Sequence, residues 1–388
     1  MPPSPAPARR VDGDPAAGEA PLRLERLRAL AVNGRFLTQR VTGVQRYARE
    51  VVGAIDALIC SGDVQGVEVT VLVPPADVDL PAYKAVRIER RGRLRGHVWE
   101  QLELPRLAGG RLLLGLCNTG PAALRRQAVT LHDAVVFERP EAFSTAFRAW
   151  YHVLMRRLAR VSQGLFTGSR FSRDALARHL RVSPERFAVI HHGREHVLRA
   201  HADATAPARL GLATRPYILA VSSRSPHKNF AALGEAARQL AGEADVVVVG
   251  GGNARVFAAD AALPDGVRSL GYVDDASLRA LYEHALCLVY PSWYEGFGFP
   301  PLEAMTCGCP VVVSRTASLP EVCGDAALYF DPHAADAAVQ IARHVRAILT
   351  DGAARARCVE AGLRQAQAFS WAASARAHLS HLEQLSHA

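Results

Sequence analysis

Lysine is almost missing from this 388-residue chain: of 46 basic residues only Lys84 and Lys228 are lysine, and the rest are arginine. Each lysine is therefore informative, and Lys228 falls in one of the segments singled out below. No run of eighteen apolar residues occurs, which excludes a membrane-spanning helix of ordinary length. The opening stretch, MPPSPAPARRVDGDPAAGEA, has no apolar core of the kind a secretion signal needs, so a disordered tail is expected over residues 1–24. Zinc-ligand spacing is lacking too. The seven cysteines are scattered, only Cys307 and Cys309 are close, and C-x-C does not form a tetrahedral site, so no metal is expected. Cys287, Cys309 and Cys323 lie in contexts suited to small hydrophobes, which fits a reducing cytoplasm. A net charge of +9 attracts anions of several kinds, but no zinc-finger or RNA-binding motif accompanies it, so nucleic acid is not expected as a partner. The arginine-rich run RIERRGRLRGH over residues 87–97 reads as a solvated loop, with contact to anionic lipid headgroups as its functional alternative.

What the chain does have is an apolar fraction of 49%, enough for two well-packed domains. Apolar runs at residues 29–32, 67–73, 112–116, 128–131 and 164–167 read as buried strands, with helical patterns at 150–160 and 173–180. The segment 186–197, RFAVIHHGREHV, reads as the last strand of this half. Residues 201–209 are polar and poorly periodic and read as a linker. The rhythm then restarts, with strands at 217–221, 245–249, 286–290 and 311–313 and helices at 230–241, 277–285, 301–307 and 334–349. Residues 369–385 read as a closing helix. Strands alternating with helices imply parallel sheets and right-handed crossovers. The expected fold class is α/β, with two Rossmann-like doubly wound domains facing across a cleft: an N-terminal domain over 25–200, a C-terminal domain over 210–368 and a closing helix over 369–388.

The most informative segment is YPSWYEGFGFPPLEAMTCGCPVVV, residues 290–313. Pro300 and Pro301 suit the first turn of a helix, and Gly308 suits its end. Gly296, Phe297 and Gly298 form a tight loop before it, where free N–H groups and the helix dipole favour an anion. Glu295 precedes the loop and Glu303 lies within the helix, so two carboxylates can bind hydroxyls on either side of a diphosphate.

Three further segments follow strands. In AVSSRSPHKNF, residues 220–230, Arg224 and Lys228 stand at the carboxyl end of a strand with Ser223, where cations can neutralise a diphosphate. In NGRFLTQRVTGVQRYARE, residues 33–50, Gly43 permits close backbone approach to a ligand, and Val44 follows it. LHDAVVFERPE, residues 131–141, carries the pair His132 and Asp133. GGGNAR, residues 250–255, breaks the dinucleotide fingerprint at Arg255 and reads as a tight turn.

The 290–313 segment, continued by GCPVVVSRTASLPEVCGDAALYFDP and preceded by LGYVDDASLRALYEHA, resembles the E-x7-E signature of glycosyltransferase family 4, retaining enzymes of GT-B fold. Pro226, Lys228 and Asn229 match a second family segment, with His227 where arginine is common; Ser223 stands where many relatives place the phosphate arginine, which leaves the role of Arg224 less defined. Thr42-Gly43 resembles a reduced form of the Gly-rich first loop. The resemblance implies that Glu303 binds ribose and Glu295 the donor sugar. It implies that Gly296, Phe297, Gly298, Ser223, Arg224 and Lys228 hold the diphosphate. By the same resemblance His132 and Gly43 complete the site, with Asp133 and Val44 toward the acceptor. His132 would meet a sugar hydroxyl or the leaving phosphate; Asp133 would fix its tautomer or meet the acceptor. The implied donor is GDP-mannose, with UDP-sugars and dTDP-rhamnose as alternatives, and no cofactor beyond it. The implied acceptor is a glycan or lipid-linked glycan, reached by a cytoplasmic enzyme peripheral to the inner membrane face. An idle nucleotide-sugar-binding module and a nicotinamide-dependent oxidoreductase are the rivals.

Overall fold

The structure, a computed structural model, describes residues 20–223, 225–251 and 263–386. Arg224, the later part of the 250–255 turn and most of the expected tail lie outside the described residues.

The N-terminal half contains β1 (Leu22–Arg23), β2 (Ala29–Asn33), β3 (Val64–Gln65), β4 (Glu68–Val73), β5 (Arg87–Arg90), β6 (Leu112–Gly115), β7 (Gln127–Thr130), β8 (Gly164–Thr167) and β9 (Phe187–Val189). The C-terminal half contains β10 (Tyr217–Val221), β11 (Asp245–Val249), β12 (Val267–Gly271), β13 (Cys287–Tyr290), β14 (Val311–Ser314) and β15 (Leu328–Phe330). Seven strands form one sheet in the order β5-β4-β2-β6-β7-β8-β9, and six form another in the order β12-β11-β10-β13-β14-β15. All pairings in both sheets are parallel. Each sheet starts at its middle, winds outward to one edge, and then restarts beside its first strand. That reversal makes a switch point, between β2 and β6 in one sheet and between β10 and β13 in the other, where the loops at the carboxyl ends diverge and leave a crevice. The inner strands are apolar because helices cover both faces, as in YILAV, the four valines of β11 and CLVY.

Four expectations need correction. Residues 87–90 are not loop: they form edge strand β5, and Gly96–Leu102 is a helix. An arginine-rich strand is tolerated at an edge, where one side meets water. The segment 186–197 is a strand only over Phe187–Val189 and is helical from His196, while in the linker Asp203 N–H donates to the Ala276 carbonyl at 3.1 Å and Ala206–Arg209 is a short helix. The tail ends before residue 24, since β1 pairs with β3, Leu24 is buried, and the Glu383 carboxylate receives the N–H groups of Glu25, Arg26 and Leu27 at 2.8–2.9 Å. Gly352–Ala366 adds a helix not anticipated. The closing helix, Trp371–Leu385, returns to the first half: Trp371, Ala375, Leu379 and Leu382 join the core around β2 and helix Gly43–Ser61. Among the described residues no helix is long and apolar enough to cross a membrane.

Candidate active site

The second sheet's switch point carries the main constellation. The loop after β10 ends in Lys228, and the loop after β13 carries Glu295. Lys228 Nζ lies 2.6 Å from Glu295 Oε1 and 3.2 Å from the Tyr290 hydroxyl. Trp293 N–H donates to the His227 carbonyl at 2.9 Å, so the two loops are also tied through backbone. Asn229, left-handed at φ +53°, caps helix Phe230–Gln239 by accepting from Ala232 N–H, which fixes the entry of the lysine's own loop. Burial pushes the Glu295 carboxyl upward, but the neighbouring ammonium outweighs that and holds it below the ordinary range. Ser223 lies two residues beyond β10 and is half-buried.

Gly298 precedes helix Phe299–Thr306 at φ +106°, a conformation that L side chains rarely adopt. Gly308 ends the helix as expected, at φ +71°. Three serines hold the loop carbonyls before the helix. The Ser318 hydroxyl lies 2.9 Å from both the Glu295 and Phe297 carbonyl oxygens, and Ser169 and Ser172 donate to Gly296 O at 2.7 and 2.9 Å. The N–H groups of Gly296, Phe297 and Gly298, by contrast, meet no acceptor among the described residues. Carbonyls turned into protein with N–H groups left free make an anion cradle at the positive end of a helix. Further along this helix, Glu303 accepts from His196 Nε2 and from the Tyr282 hydroxyl, both at 2.8 Å. Burial raises its carboxyl less than these bonds and charges lower it, so the net direction is down. Trp371 Nε1–H donates to His196 Nδ1 at 3.2 Å, which leaves the ring proton on Nε2 facing Glu303.

The N-terminal half supplies His132 at the end of β7. Its Nε2–H donates to the Leu116 carbonyl at 2.9 Å, and burial pushes its pKa down to about 4. The ring is thus neutral, with Nδ1 left as an acceptor that no described residue uses. This corrects the expected part of Asp133, since the tautomer is set by Leu116. Asp133 instead accepts from Val135 N–H at 2.9 Å; burial, with the charge of Glu295 adding, pushes it up to about 6. A Cβ on Gly296 would stand 2.6 Å from Asp133 Cβ and 2.8 Å from the His132 carbonyl oxygen, so the two halves touch where glycine leaves room. Gly43 opens helix Gly43–Ser61, where a Cβ would meet only Phe299, at 3.6 Å; Val44 follows it, half-buried.

Several contacts joining the halves have no local sequence signal. Glu321 receives Arg170 N–H at 2.9–3.0 Å and His191 Nε2 at 2.9 Å. Arg46 pairs with Asp275 at 2.6 Å, and Ala134 N–H donates to the Tyr294 hydroxyl at 3.2 Å. His192, fully buried, packs its ring 4.1 Å from Phe297 and 4.5 Å from Tyr47, with both ring nitrogens unpartnered. A usable hint lay in IHHGREH, an unusual density of histidines at the carboxyl end of a strand.

The chain is similar to known glycosyltransferases. A family model described as "Glycosyl transferases group 1" matches residues 204–365. The chain is 33% identical over 263 residues to O-antigen chain mannosyltransferase B of Escherichia coli, covering 65% of this chain and 68% of that protein. It is 29% identical over 217 residues to O-antigen chain mannosyltransferase RfbU of Salmonella typhimurium, covering 54% of this chain and 58% of the relative. Among solved structures, sucrose-phosphate synthase from Thermosynechococcus elongatus superposes with a TM-score of 0.69 at 21% identity over 92% of this chain and 98% of that one. WaaG, a glycosyltransferase involved in lipopolysaccharide biosynthesis, gives a TM-score of 0.64 at 16% identity over 91% of this chain and 99% of that one. Both share the two-domain GT-B architecture. The oxidoreductase alternative finds no support in these likenesses.

Proposed function

Because the chain belongs to the group 1 glycosyl transferases and is a sugar-transferring enzyme of GT-B fold, we propose that it moves mannose from GDP-mannose to a lipid-linked glycan, retaining the anomeric configuration. The observation that carries this is the cradle at the second switch point: free N–H groups at Gly296–Gly298 beside the Lys228–Glu295 pair. The mannose assignment is supported by the names of the two relatives, and the lipid-linked acceptor by their O-antigen context.

In this reading the diphosphate lies against the helix tip of Phe299–Thr306, and Lys228 turns from Glu295 to a phosphate oxygen. Glu295 then accepts from a sugar hydroxyl, and Glu303 uses its remaining lone pairs for the ribose. His132 Nδ1 accepts from another sugar hydroxyl. The bond from C1 to the β-phosphate oxygen breaks, and its electron pair leaves with GDP. The acceptor oxygen bonds to C1 on the same face, and its proton passes to the departing phosphate. Charge growing on that phosphate is met by Lys228 and by N–H groups already in place, which requires no reorganisation in the barrier crossing. The enzyme works as a peripheral protein on the cytoplasmic membrane face, with no cofactor besides its donor.

A donor panel tests this. Purified protein is offered GDP-mannose, UDP-sugars and dTDP-rhamnose with and without a bacterial lipid extract, and nucleotide release is measured. Release of GDP from GDP-mannose that rises on adding lipid supports the proposal. Preference for another nucleotide replaces the donor, and absence of release from every donor favours an idle binding module.

A further inference from the structure

Large exposed apolar side chains are unevenly distributed. Among the described residues there are nine, and five of them, Leu94, Val98, Leu102, Trp150 and Val153, lie in one corner of the N-terminal half. Val98 and Leu102 project from helix Gly96–Leu102, with Leu94 in the turn before it; Trp150 and Val153 project from helix Thr145–Val161. The rings of His97 and Trp150 meet edge-on at 5.6 Å, so the two helices form one continuous face. Val153 is 67% exposed, the most of the nine. Burial within this chain explains none of these five positions.

Charge narrows what can cover the face. Helix Thr145–Val161 has no acidic residue, and its exposed side continues into Arg156, Arg157 and Arg160. Arg93 and Arg95 are exposed in the turn before the other helix, and their guanidinium groups have no carboxylate partner among the described residues. The neighbouring acids are engaged: Glu89 pairs with Arg91, Glu103 accepts from the N–H groups of Arg93 and Leu94, and Glu100 is fully buried. Trp99 Nε1–H donates to the Arg91 carbonyl, so the turn is pinned with its arginines outward. A second copy of this chain would set arginine against arginine. Apolar side chains within an arginine rim, a tryptophan among them, match the boundary between anionic headgroups and acyl chains.

We infer that this corner, helix Gly96–Leu102 with the outer face of helix Thr145–Val161, is the surface by which the enzyme lies on an anionic phospholipid bilayer. The inference rests on the proposed lipid-linked acceptor and places the membrane relative to it. The helix that turns Val98 and Leu102 outward turns Glu100 inward, where its Oε1 accepts from Asn33 Nδ2 at 2.6 Å and from the Thr119 hydroxyl at 2.7 Å. Asn33 ends β2 and Thr119 follows β6, at the first sheet's switch point. The bilayer face and the cleft thus share one rigid rim, and a lipid-anchored glycan enters the cleft from the membrane side.

The test is co-sedimentation of the full-length protein with vesicles of phosphatidylglycerol and phosphatidylethanolamine, against vesicles of phosphatidylcholine alone. Donor and acceptor are both left out. Wild-type protein is expected to pellet with the anionic vesicles and much less with the neutral ones, and to be released by salt. Val98→Asp/Val153→Asp is expected to lower that binding at least tenfold while its melting temperature and its acceptor-independent donor hydrolysis stay at wild-type levels. Failure of the wild type to pellet, or equal pelleting by the double variant, overturns the inference. So does a wild-type dimer in light scattering that the same variant dissolves. Since these vesicles carry no acceptor, a failed transfer assay with retained binding refutes the proposed acceptor and leaves the surface standing.

Discussion

Lys228 Nζ and Glu295 Oε1 lie 2.6 Å apart above the second sheet's switch point, with side chains only 12% and 11% exposed. They come from different loops, and the pair exists because β10 and β13 are neighbours in the sheet although 67 residues separate the two side chains in sequence. So enclosed a pair is weak evidence for stability, since desolvation offsets most of the attraction. In the proposed function it is a charge held ready for the donor diphosphate. Lys228→Ala is expected to lower kcat by about 100- to 1000-fold, the loss of ~3–4 kcal/mol typical of removing one preorganised charge-stabilising donor. The Glu295 carboxyl, buried without its counter-charge, will move above its ordinary range. Steady-state kinetics on the folded variant check this; a rate within a few-fold of wild type removes the role.

Gly296 separates donor binding from turnover. A methyl group there collides with Asp133 Cβ and the His132 carbonyl and crowds Asp133 Oδ2, all in the other half. Gly296→Ala should therefore fold normally and hold nucleotide within roughly tenfold of wild type, while transfer falls about 100-fold because reacting groups are displaced by an ångström. Calorimetric binding alongside turnover distinguishes the two. Equal losses in both would mean that the contact does not govern how the halves meet.

Trp371 acts on Glu303 through His196. Trp371→Phe deletes the N–H that fixes the imidazole tautomer, and Glu303 then loses a steady donor. About 1 kcal/mol is at stake in such a hydrogen bond. The expected result is a donor KM raised roughly fivefold with kcat little changed, a split that general destabilisation would not produce. An unchanged donor KM contradicts the relay.

Buried histidines set the acid limit of stability. Burial depresses His132 and His378 to about 4 and His227 to about 3, well below the ordinary value near 6.5. The unfolded chain binds these protons first, so the contribution is present above about pH 6.5 and is lost as pH falls toward 4. Asp133, raised to about 6, has the opposite sign: its contribution is present at low pH and lost as pH rises through 6. Urea midpoints should fall steadily from pH 7 to pH 5, and Asp133→Asn should gain on wild type above pH 6. A flat profile in Asp133→Asn contradicts the histidine assignment, and a variant that tracks wild type above pH 6 contradicts that of Asp133.

How much of this was legible in sequence depends on range. The runs YILAV, DVVVV and VVVS announced central strands, because strands covered on both faces are apolar throughout. Edge strands β5 and β12 were not legible, because RIER and VRSLG carry charge where one side meets water, whereas edge strand β9 was. The loop from Glu295 to Gly298 could be picked out because proline and glycine mark a helix start. Glu321, Ser169, Ser172 and Trp371 could not, since each acts on a partner more than 100 residues away. Of the two parts expected of Asp133, fixing the His132 tautomer was misread, because that bond goes to a backbone carbonyl, which no local sequence pattern marks.

The central claim is that an activated sugar diphosphate sits on the helix tip at the second switch point. A crystal structure with GDP-mannose, or with the nucleotide sugar that the donor panel selects, measures this directly. Phosphate oxygens within about 3 Å of the N–H groups of Gly296–Gly298, with Lys228 drawn from Glu295 onto the phosphate, is the outcome this account requires. A diphosphate lodged elsewhere, with Lys228 still paired to Glu295, would contradict it.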